Sequence, residues 1–383
     1  MLFILFGCFI ATGIVLYGQG NMDTSEEVFS VYFAFDPDIF FYLLLPPIIL
    51  DAAYNIPAKS NFFYNFSAIL CFAFIGTLIS TIVIGTGVWG LSLIVRNRSG
   101  GADSAGYERV TWAFKLGSML SATDPVATLS VLSSFGALKD PHLHNMIFGE
   151  SILNDAVAIV LFEEFDRAAK LADGPGEGGE GWIMVLEGFG TFCWVTVASL
   201  ALGAVFGVFS AIVTRWWWIS GVIHAEILVC MVLPYMAYVV AEAVEVSGIM
   251  SLFVCGMLMS HYTRYNITPQ AESVTTHGFH ALAFVAEAAV FTYLGADFIL
   301  TDFEPGSWDG RVVGTVIPLC LVARAFSIFP ITGVINCRRS SKNERTIPWQ
   351  SQLVLWFAGL RGAIACVLRL LSLLLLPIIC AVI

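Results

Sequence analysis

Long apolar segments recur from one end of the chain to the other, and they constrain its fold more than any other feature. Hydrophobic residues make up 58% of the 383 residues and charged residues only 12%, which lies outside the range of soluble globular domains. A stretch of about 20 apolar residues crosses a bilayer as an α-helix, because a helix satisfies its own backbone hydrogen bonds where water is absent. The sequence therefore predicts an all-α polytopic membrane protein, with a single membrane domain over residues 1–383.

Twelve apolar segments can be counted, joined mostly by short polar loops. They lie at about residues 1–18, 39–56, 62–95, 111–136, 145–165, 182–214, 223–243, 246–262, 279–300, 311–336, 349–369 and 370–383. The first segment lacks the basic n-region and cleavage site of a signal peptide, so we expect a transmembrane helix there. The last is short for a span, which predicts that the chain stops inside or just after its final helix, without a cytosolic regulatory tail.

The remaining composition narrows the class of partners. The absence of any recognisable nucleic-acid-binding module indicates that membrane lipid, and no nucleic acid, surrounds the chain. Nine cysteines lie mostly within the apolar segments, without the paired short spacings of a zinc site or a disulfide scaffold. We interpret them as small packing residues and expect no resident cofactor.

Four polar residues interrupt the apolar run at residues 148–162, namely Glu150, Ser151, Asn154 and Asp155. An unpaired charge at membrane depth costs roughly several kcal/mol, so such residues indicate function. The helical period places Glu150 and Asn154 on one face and Ser151 and Asp155 on another. A desolvated carboxylate without a permanent cation beside it favours its protonated form, so it can bind either a proton or a metal ion. Ser151 is a candidate ligand beside it.

A proline interrupts the segment at residues 111–136. Pro125 lacks an amide hydrogen and disfavours helix at the preceding residue, so we expect the helix to break at Thr123 and Asp124. Such a break exposes backbone carbonyls and two half-helix ends, a recurrent way to build a cation site at the midplane of a transporter. The alternative is a simple proline kink in which Asp124 caps the second half.

A second interruption is predicted near the end of the chain. Gly359 and Gly362 flank Arg361 in the middle of an apolar segment, and glycine weakens a helix interior. Paired interruptions in the two halves of a transporter sequence point to inverted repeats that meet at the substrate site.

Arg324 lies near the middle of its apolar segment, where a cation needs a partner. Glu150 is the candidate, because a permanent ion pair between the two would leave Asp155 to titrate. The alternative is that Arg324 snorkels to the membrane surface, which its central position disfavours.

Two further acids lie within apolar segments, Asp51 after Pro46 and Pro47, and Glu287. For each, support of the ion ligands, a cap at the lipid interface and a place on an entry path all stay open. Lys115 lies near a segment end, where we expect it to snorkel.

Five motifs occur in register along nearly the whole chain. They are Phe40–Asp51 (FFYLLLPPIILD), Ser121–Thr128 (SATDPVAT), Gly149–Phe162 (GESILNDAVAIVLF), Ala323–Ala325 (ARA) and Gly359–Ala365 (GLRGAIA). Together they resemble the eukaryotic sodium/proton exchangers of the monovalent cation:proton antiporter family. The motif SATDPVAT and the sequence SHYT at 260–263 are closer to the Golgi and endosomal branch than to the plasma-membrane branch.

The resemblance implies an architecture. It implies a thirteen-helix fold of inverted repeats with two broken, crossing helices, of which this chain would hold about twelve. Scaffold and dimerisation helices would lie at about residues 1–56 and 182–300, and ion-transporting core helices at about 62–165 and 311–383. The core would move against the scaffold in an elevator-like motion, within a homodimer. In relatives, the stretch containing Pro46 and Pro47 is associated with amiloride-type inhibitors.

The resemblance also implies roles for individual residues. Asp155 would bind a monovalent cation and a proton in turn, with the unwound Thr123–Asp124 segment contributing to the site. Glu150 and Arg324 would form a structural ion pair. Asn154, in place of a second aspartate, is the pattern of electroneutral one-for-one exchangers.

We therefore expect an electroneutral antiporter of Na+ or K+ against H+, not an enzyme, that works by alternating access at Asp155 in a Golgi or endosomal membrane. One alternative is a channel or proton-coupled solute carrier, which would need a substrate-shaped polar pocket beyond one carboxylate cluster. Another is an inactive, truncated exchanger-like receptor or scaffold, favoured by the tract at residues 367–376, which departs from the family pattern.

Overall fold

The computed structural model describes residues 39–56, 59–99, 106–123, 141–172, 181–216, 219–300, 310–341 and 346–357, together with residues 3, 5–7 and 9. Every regular element in these ranges is a helix, so the prediction of an all-α chain is confirmed. The apolar segments at 1–18 and 370–383 lie wholly or largely outside the described residues, as does the second half of the segment at 349–369.

The helices follow one another with short connections. A π-helical turn, Phe40–Leu44, leads into α1, Leu45–Tyr54. The next helix, α2, Lys59–Leu70, passes through a π-helical segment, Cys71–Gly76, into α3, Thr77–Ser99. The others are α4 Gly106–Ser121, α5 Pro141–Ala172, α6 Gly181–Thr214, α7 Ile223–Ala243, α8 Gly248–His261, α9 Pro269–Leu300, α10 Gly310–Ser341 and α11 Trp349–Phe357.

Six stretches of described helix are long and apolar enough to cross a membrane, judged by length and composition. They are Phe62–Leu93, His142–Arg167, Gly190–Thr214, Ile223–Ala243, Pro269–Tyr293 and Thr315–Ser341. The stretch in α5 stands apart, because 89% of its most apolar window is buried inside the protein, against at most 56% for the others. Because nearly all of this window is buried, although it carries several polar residues, α5 lies at the centre of the helices packed around it.

A helix extends beyond its apolar segment when its first or last turns are polar. The segment predicted at residues 279–300 belongs to α9, which begins ten residues earlier at Pro269. Thr268 precedes that start, and its backbone amide and hydroxyl both donate to Glu226 of α7 (2.9 and 2.7 Å). Hydropathy marks the part of a helix that faces lipid, whereas caps and prolines mark where it begins.

The chain forms two compact units. The first comprises residues 1–55 and 199–308, and the second comprises residues 56–198 and 309–383. Because the division falls within α6, that helix contributes its first half to the second unit and its last turns to the first. The predicted assignment of scaffold and core to such parts stays a prediction.

In the first unit, α1 packs against α8 and α9. The hydroxyl of Ser260 donates to the carbonyl oxygen of Tyr54 (2.6 Å), and the Tyr54 ring meets Phe279 edge to face. The end of α6 approaches α8 so closely that a Cβ added at Gly203 would overlap the carbonyl oxygen of Ser251. Glycine permits this approach because it has no side chain.

In the second unit, α3 packs on α4, α4 on α5, and α10 on α3. Asn65 of α2 links three helices, because its amide nitrogen lies 3.2 Å from Nδ1 of His142 in α5, and its Oδ1 accepts from Arg339 of α10 (2.9 Å). Asn65 is 1% exposed. A buried amide satisfied in this way fixes the helices around it.

The contact at Gly203 gives a test of the first unit. We expect Gly203→Val to lower the free energy of unfolding by about 1–3 kcal/mol, because the added atoms overlap backbone that cannot move aside. The matched control is Gly190→Val in the same helix, where an added Cβ meets nothing within 4 Å. Thermal unfolding of the purified protein in detergent compares the two, and equal melting temperatures would contradict the predicted close approach.

Candidate functional site

The site starts where α4 stops. The helix ends at Ser121, and Ala122 and Thr123 are not helical, although Thr123 is only 3% exposed. The last four carbonyls of a helix have no partner within it, so a buried end must find partners elsewhere. Asp124 and Pro125, the other residues of the predicted break, lie outside the described residues.

Three side chains of α5 form hydrogen bonds with the residues at this end. The Asn154 amide donates to the carbonyl oxygen of Ser121 (3.0 Å) and to Oγ1 of Thr123 (3.1 Å). The Ser151 hydroxyl donates to the carbonyl oxygen of Thr123 and lies 3.1 Å from its Oγ1. Oδ1 of Asp155 accepts from the backbone amide of Thr123 (3.2 Å). The open end of α4 is therefore bound to α5 by hydrogen bonds from successive positions on one helix.

The contacts of Asn154 differ from those that helical phase predicts. Phase pairs Asn154 with Glu150, yet the structure brings Asn154 to Thr123 together with Ser151 and Asp155. Residues three apart on a helix are neighbours, as are residues four apart, and Thr123 lies between the two predicted stripes. Asn154 thus has a bonding role that its residue type alone does not reveal.

Thr77 is a site residue that the sequence analysis missed. Its Oγ1 lies 2.5 Å from Oδ1 of Asn154 and within hydrogen-bond distance of the carbonyl oxygen of Ala73. It directly follows the π-helical segment Cys71–Gly76. The only sequence signal is a threonine within an apolar run, which is common where the hydroxyl bonds to its own helix. With Thr77 included, Asn154 connects α3, α4 and α5.

Glu150 and Arg324 form a buried ion pair between α5 and α10. Nη1 of Arg324 lies 2.7 Å from Oε1 of Glu150, and the two residues are 8% and 2% exposed. Nη2 of Arg324 also donates to the carbonyl oxygen of Leu355 in α11 (3.3 Å). Opposite charges at this distance largely cancel in their surroundings, so the pair contributes almost no net charge to the site.

Lys115 does not snorkel, contrary to the sequence-based expectation. It is 3% exposed, its ammonium pairs with Asp166 of α5, and it lies over the rings of Trp112 and Phe162. The expectation was wrong because a nearby carboxylate and two aromatic faces replace water around the charge.

The other predicted residues fall in two groups. Pro46, Pro47, Asp51 and Glu287 belong to the first unit, where Asp51 accepts from Asn55 (2.6 Å) and lies 2.9 Å from Nδ1 of His280. Thr123 belongs to the second unit. Gly359, Arg361 and Gly362 lie outside the described residues. The roles assigned to all of these residues stay predictions.

The donor set suits a small monovalent cation. Around Thr123 lie backbone carbonyls, hydroxyls, an amide and the carboxylate of Asp155, and unwound carbonyls with a carboxylate are the ligands that transporters offer to Na+. Within the described ranges, no three His, Cys, Asp or Glu side chains converge in a way that could hold a metal ion.

Comparison with known proteins assigns the chain to a family. The model of the family described as sodium/hydrogen exchanger, transmembrane, matches residues 1–379. The chain belongs to the sodium/hydrogen exchanger family. It is 34% identical over 372 residues to sodium/hydrogen exchanger 1 of Oryza sativa, covering 93% of this chain and 63% of that protein. It is 36% identical over 339 residues to human sodium/hydrogen exchanger 8, covering 88% and 54%.

The solved structures agree on the fold. This exchanger-family chain is similar to the sodium proton antiporter of Methanocaldococcus jannaschii, with a TM-score of 0.53 and 14% sequence identity, over 96% of this chain and 83% of that one. Family membership and the long apolar helices together identify an integral membrane protein. The chain spans less than two thirds of the rice and human relatives.

The ion pair gives the first test of the site. We expect Arg324→Leu to lower the free energy of unfolding by about 3–5 kcal/mol, because it leaves the Glu150 carboxylate buried without its cation. The double variant Glu150→Leu/Arg324→Leu should recover most of that loss, since it buries no charge. Denaturant unfolding in lipid nanodiscs measures both, and a double variant as unstable as the single one would show that charge pairing is not the cause.

Thr77 gives the second. We expect Thr77→Val to cost about 1–3 kcal/mol, because a buried oxygen of Asn154 loses its donor. Thr86→Val in the same helix is the control, since Thr86 is exposed and its hydroxyl bonds to the carbonyl of Ile82 (2.7 Å). If the melting temperatures of the two variants fall equally, the contact with Asn154 carries no particular weight.

Proposed function

We propose that this chain exchanges Na+ or K+ for H+ across a membrane, by alternating access at Asp155. The observation that carries the proposal is the position of the Asp155 carboxylate, 3.2 Å from the backbone amide of Thr123 at the opened end of α4. The relatives named sodium/hydrogen exchangers support the choice of ions.

Competition at one carboxylate couples the two ions. A protonated Asp155 has no charge with which to hold a cation, and a cation bound there excludes the proton. If the two sides of the membrane are reached in turn, each ion can cross only by replacing the other. No separate coupling device is required.

Neighbouring residues set the charge that crosses. Arg324 holds the charge of Glu150 in a fixed pair, and Asn154 is neutral. Only Asp155 then changes its ligand, one cation for one proton, so the cycle is electroneutral.

Binding of a cation affects the hydrogen bonds at the site in different ways. The Ser151 hydroxyl now donates to the carbonyl oxygen of Thr123. A cation bound between that carbonyl and the hydroxyl oxygen takes the place of this hydrogen, which must turn away, and both oxygens are then ligands. The Asn154 amide can keep its bond to Ser121 throughout, because it acts on a different carbonyl.

The finer architecture belongs to the same proposal. We propose inverted repeats with two broken helices that cross, thirteen spans in the family fold, and an elevator-like motion of the second unit as the core against the first as the scaffold. The two compact units, which divide at residues 55/56 and 308/309, support this assignment. The division at 198/199 falls within the continuous helix α6, whereas the proposed scaffold begins near residue 182. We further propose that the protein is a homodimer surrounded by membrane lipid. We propose a Golgi or endosomal membrane, because the motifs SATDPVAT at 121–128 and SHYT at 260–263 are closer to that branch of the family.

Transport assays on the full chain in proteoliposomes test the mechanism. With a Na+ or K+ gradient imposed, we expect the luminal pH of wild-type vesicles to change, and Asp155→Asn to abolish the change, because an amide neither binds a proton in this range nor holds a cation by charge. A pH-sensitive dye trapped in the vesicles gives the rate.

Glu164→Gln is the matched control. Glu164 is a carboxylate of the same helix, paired with exposed Arg167 at 3.0 Å, and its loss should leave exchange unchanged. Absence of proton movement in wild type, or equal movement by Asp155→Asn, would refute the mechanism. Current recorded from the same vesicles should be zero, and a steady current would refute electroneutrality.

A further inference from the structure

The ion pair between Lys115 and Asp166 takes no part in the proposed exchange. Lys115 is 3% exposed, and its Nζ lies 4.7 Å from the ring centroids of both Trp112 and Phe162. Asp166 is 28% exposed at its side chain. A lysine within reach of a membrane surface ordinarily extends its flexible stem towards water, so its burial on α5 calls for an explanation.

The pair lies on the same helix contact as the site. Asp166 follows Asp155 by eleven residues in the unbroken helix α5, which is about three turns, so both lie on one face about 16 Å apart. Lys115 lies on α4 six residues before its end at Ser121. One contact between α4 and α5 thus carries Asp155 at one end and the ion pair at the other.

An apolar contact lies between these two ends. Ala122 and Ala158 are buried together, at 1% and 0% exposure. On its other side α4 meets the backbone of α3, where a Cβ added at Gly117 would lie 2.8 Å from the carbonyl oxygen of Thr81 and 2.9 Å from the amide nitrogen of Gly85. Close packing of this kind prevents sideways movement, but apolar contacts are not directional and resist sliding along the helix less.

A charge-assisted hydrogen bond does resist sliding, because its length tolerates only a few tenths of an ångström. The bonds from Ser151 and Asn154 to the end of α4 also fix it, yet exchange must rearrange some of them whenever a cation binds. The ion pair lies three turns away from that rearrangement and can persist through it.

We propose that Lys115 is a positioning residue for exchange. Its ion pair with Asp166 fixes α4 lengthwise on α5 and so sets the distance from Thr123 to Asp155. The inference rests on the proposed function, because it assigns Lys115 a role in that same site. It predicts that loss of the pair weakens cation binding more than it slows turnover.

The test compares two substitutions at Lys115 in the full chain. Lys115→Met keeps the apolar stem on the two rings but removes the charge, and Lys115→Arg keeps both the charge and the stacking. We expect Lys115→Met to raise the KM for Na+ by about tenfold with a smaller change in kcat, because the ligands are displaced from their best geometry. Lys115→Arg should stay close to wild type.

Deuterium uptake supplies a readout that does not depend on transport. In Lys115→Met, the peptide covering residues 116–123 should lose about tenfold of its protection, because the Thr123 amide is held less firmly to Asp155. Glu164→Gln, which removes the exposed pair at the same helix end, should change neither KM nor uptake.

Several outcomes would overturn the proposal. Wild-type KM and protection in Lys115→Met would do so, as would an equal loss in Lys115→Arg. A lower melting temperature with an unchanged KM would show a merely structural role. If Asp166→Asn fails to fold because it leaves the ammonium buried alone, Lys115→Met/Asp166→Asn must reproduce the KM of Lys115→Met. A wild-type chain that moves no protons refutes the proposed function, while deuterium uptake still decides whether Lys115 holds Thr123.

Discussion

A helix end buried at membrane depth must have its backbone groups bonded, and the rest of the site depends on that requirement. The end of α4 at Ser121 would leave carbonyls without partners, and each would cost several kcal/mol in a dry environment, very roughly. The Ser151 hydroxyl and the Asn154 amide donate to two of these carbonyl oxygens, at Thr123 and Ser121, and the Asp155 carboxylate accepts from the Thr123 amide. The residues that make the break tolerable are therefore the ones that surround the candidate cation position. Fold stability and the proposed ion binding depend on the same atoms, so a substitution that alters one should alter the other.

Two buried charges in the second unit are likewise each paired with an opposite charge from another helix. Glu150 pairs with a cation from α10, and Lys115 pairs with an anion of α5. Both pairs involve α5, the most deeply buried of the candidate spans. Buried pairs rarely add much stability over apolar packing, but removing one partner is costly. They therefore fix which helix faces which, and α5 becomes the common reference for its neighbours.

The sequence predicts much of this arrangement and misses a definable part. The all-α class follows from the long apolar segments. The partner of Arg324 follows from composition too, because a buried cation has few candidate anions. Asn154 bonds to Thr123 and Lys115 pairs with Asp166, and neither helical phase nor distance from a segment end reports on a neighbouring element. The expectation that Lys115 snorkels was therefore wrong, whereas the role of Asn154 in ion binding stays a prediction. Thr77 could not be found, since its position depends on a π-helical segment that leaves no pattern in apolar residues. The start of α9 was placed late because hydropathy does not register a polar first turn.

The π-helical segment Cys71–Gly76 has a consequence for the rotational phase of the helix that contains it. Asn65 and Thr77 are twelve residues apart and both contact α5, at His142 and Asn154. In an uninterrupted α-helix, twelve residues leave a rotation of about 120° beyond whole turns, so the two side chains would face different neighbours. The wider π turn rotates less per residue and returns Thr77 to the face that carries Asn65. The π-helical segment thus changes the rotational phase of the helix. As a result, Asn65 and Thr77 both bond to α5, at two different depths.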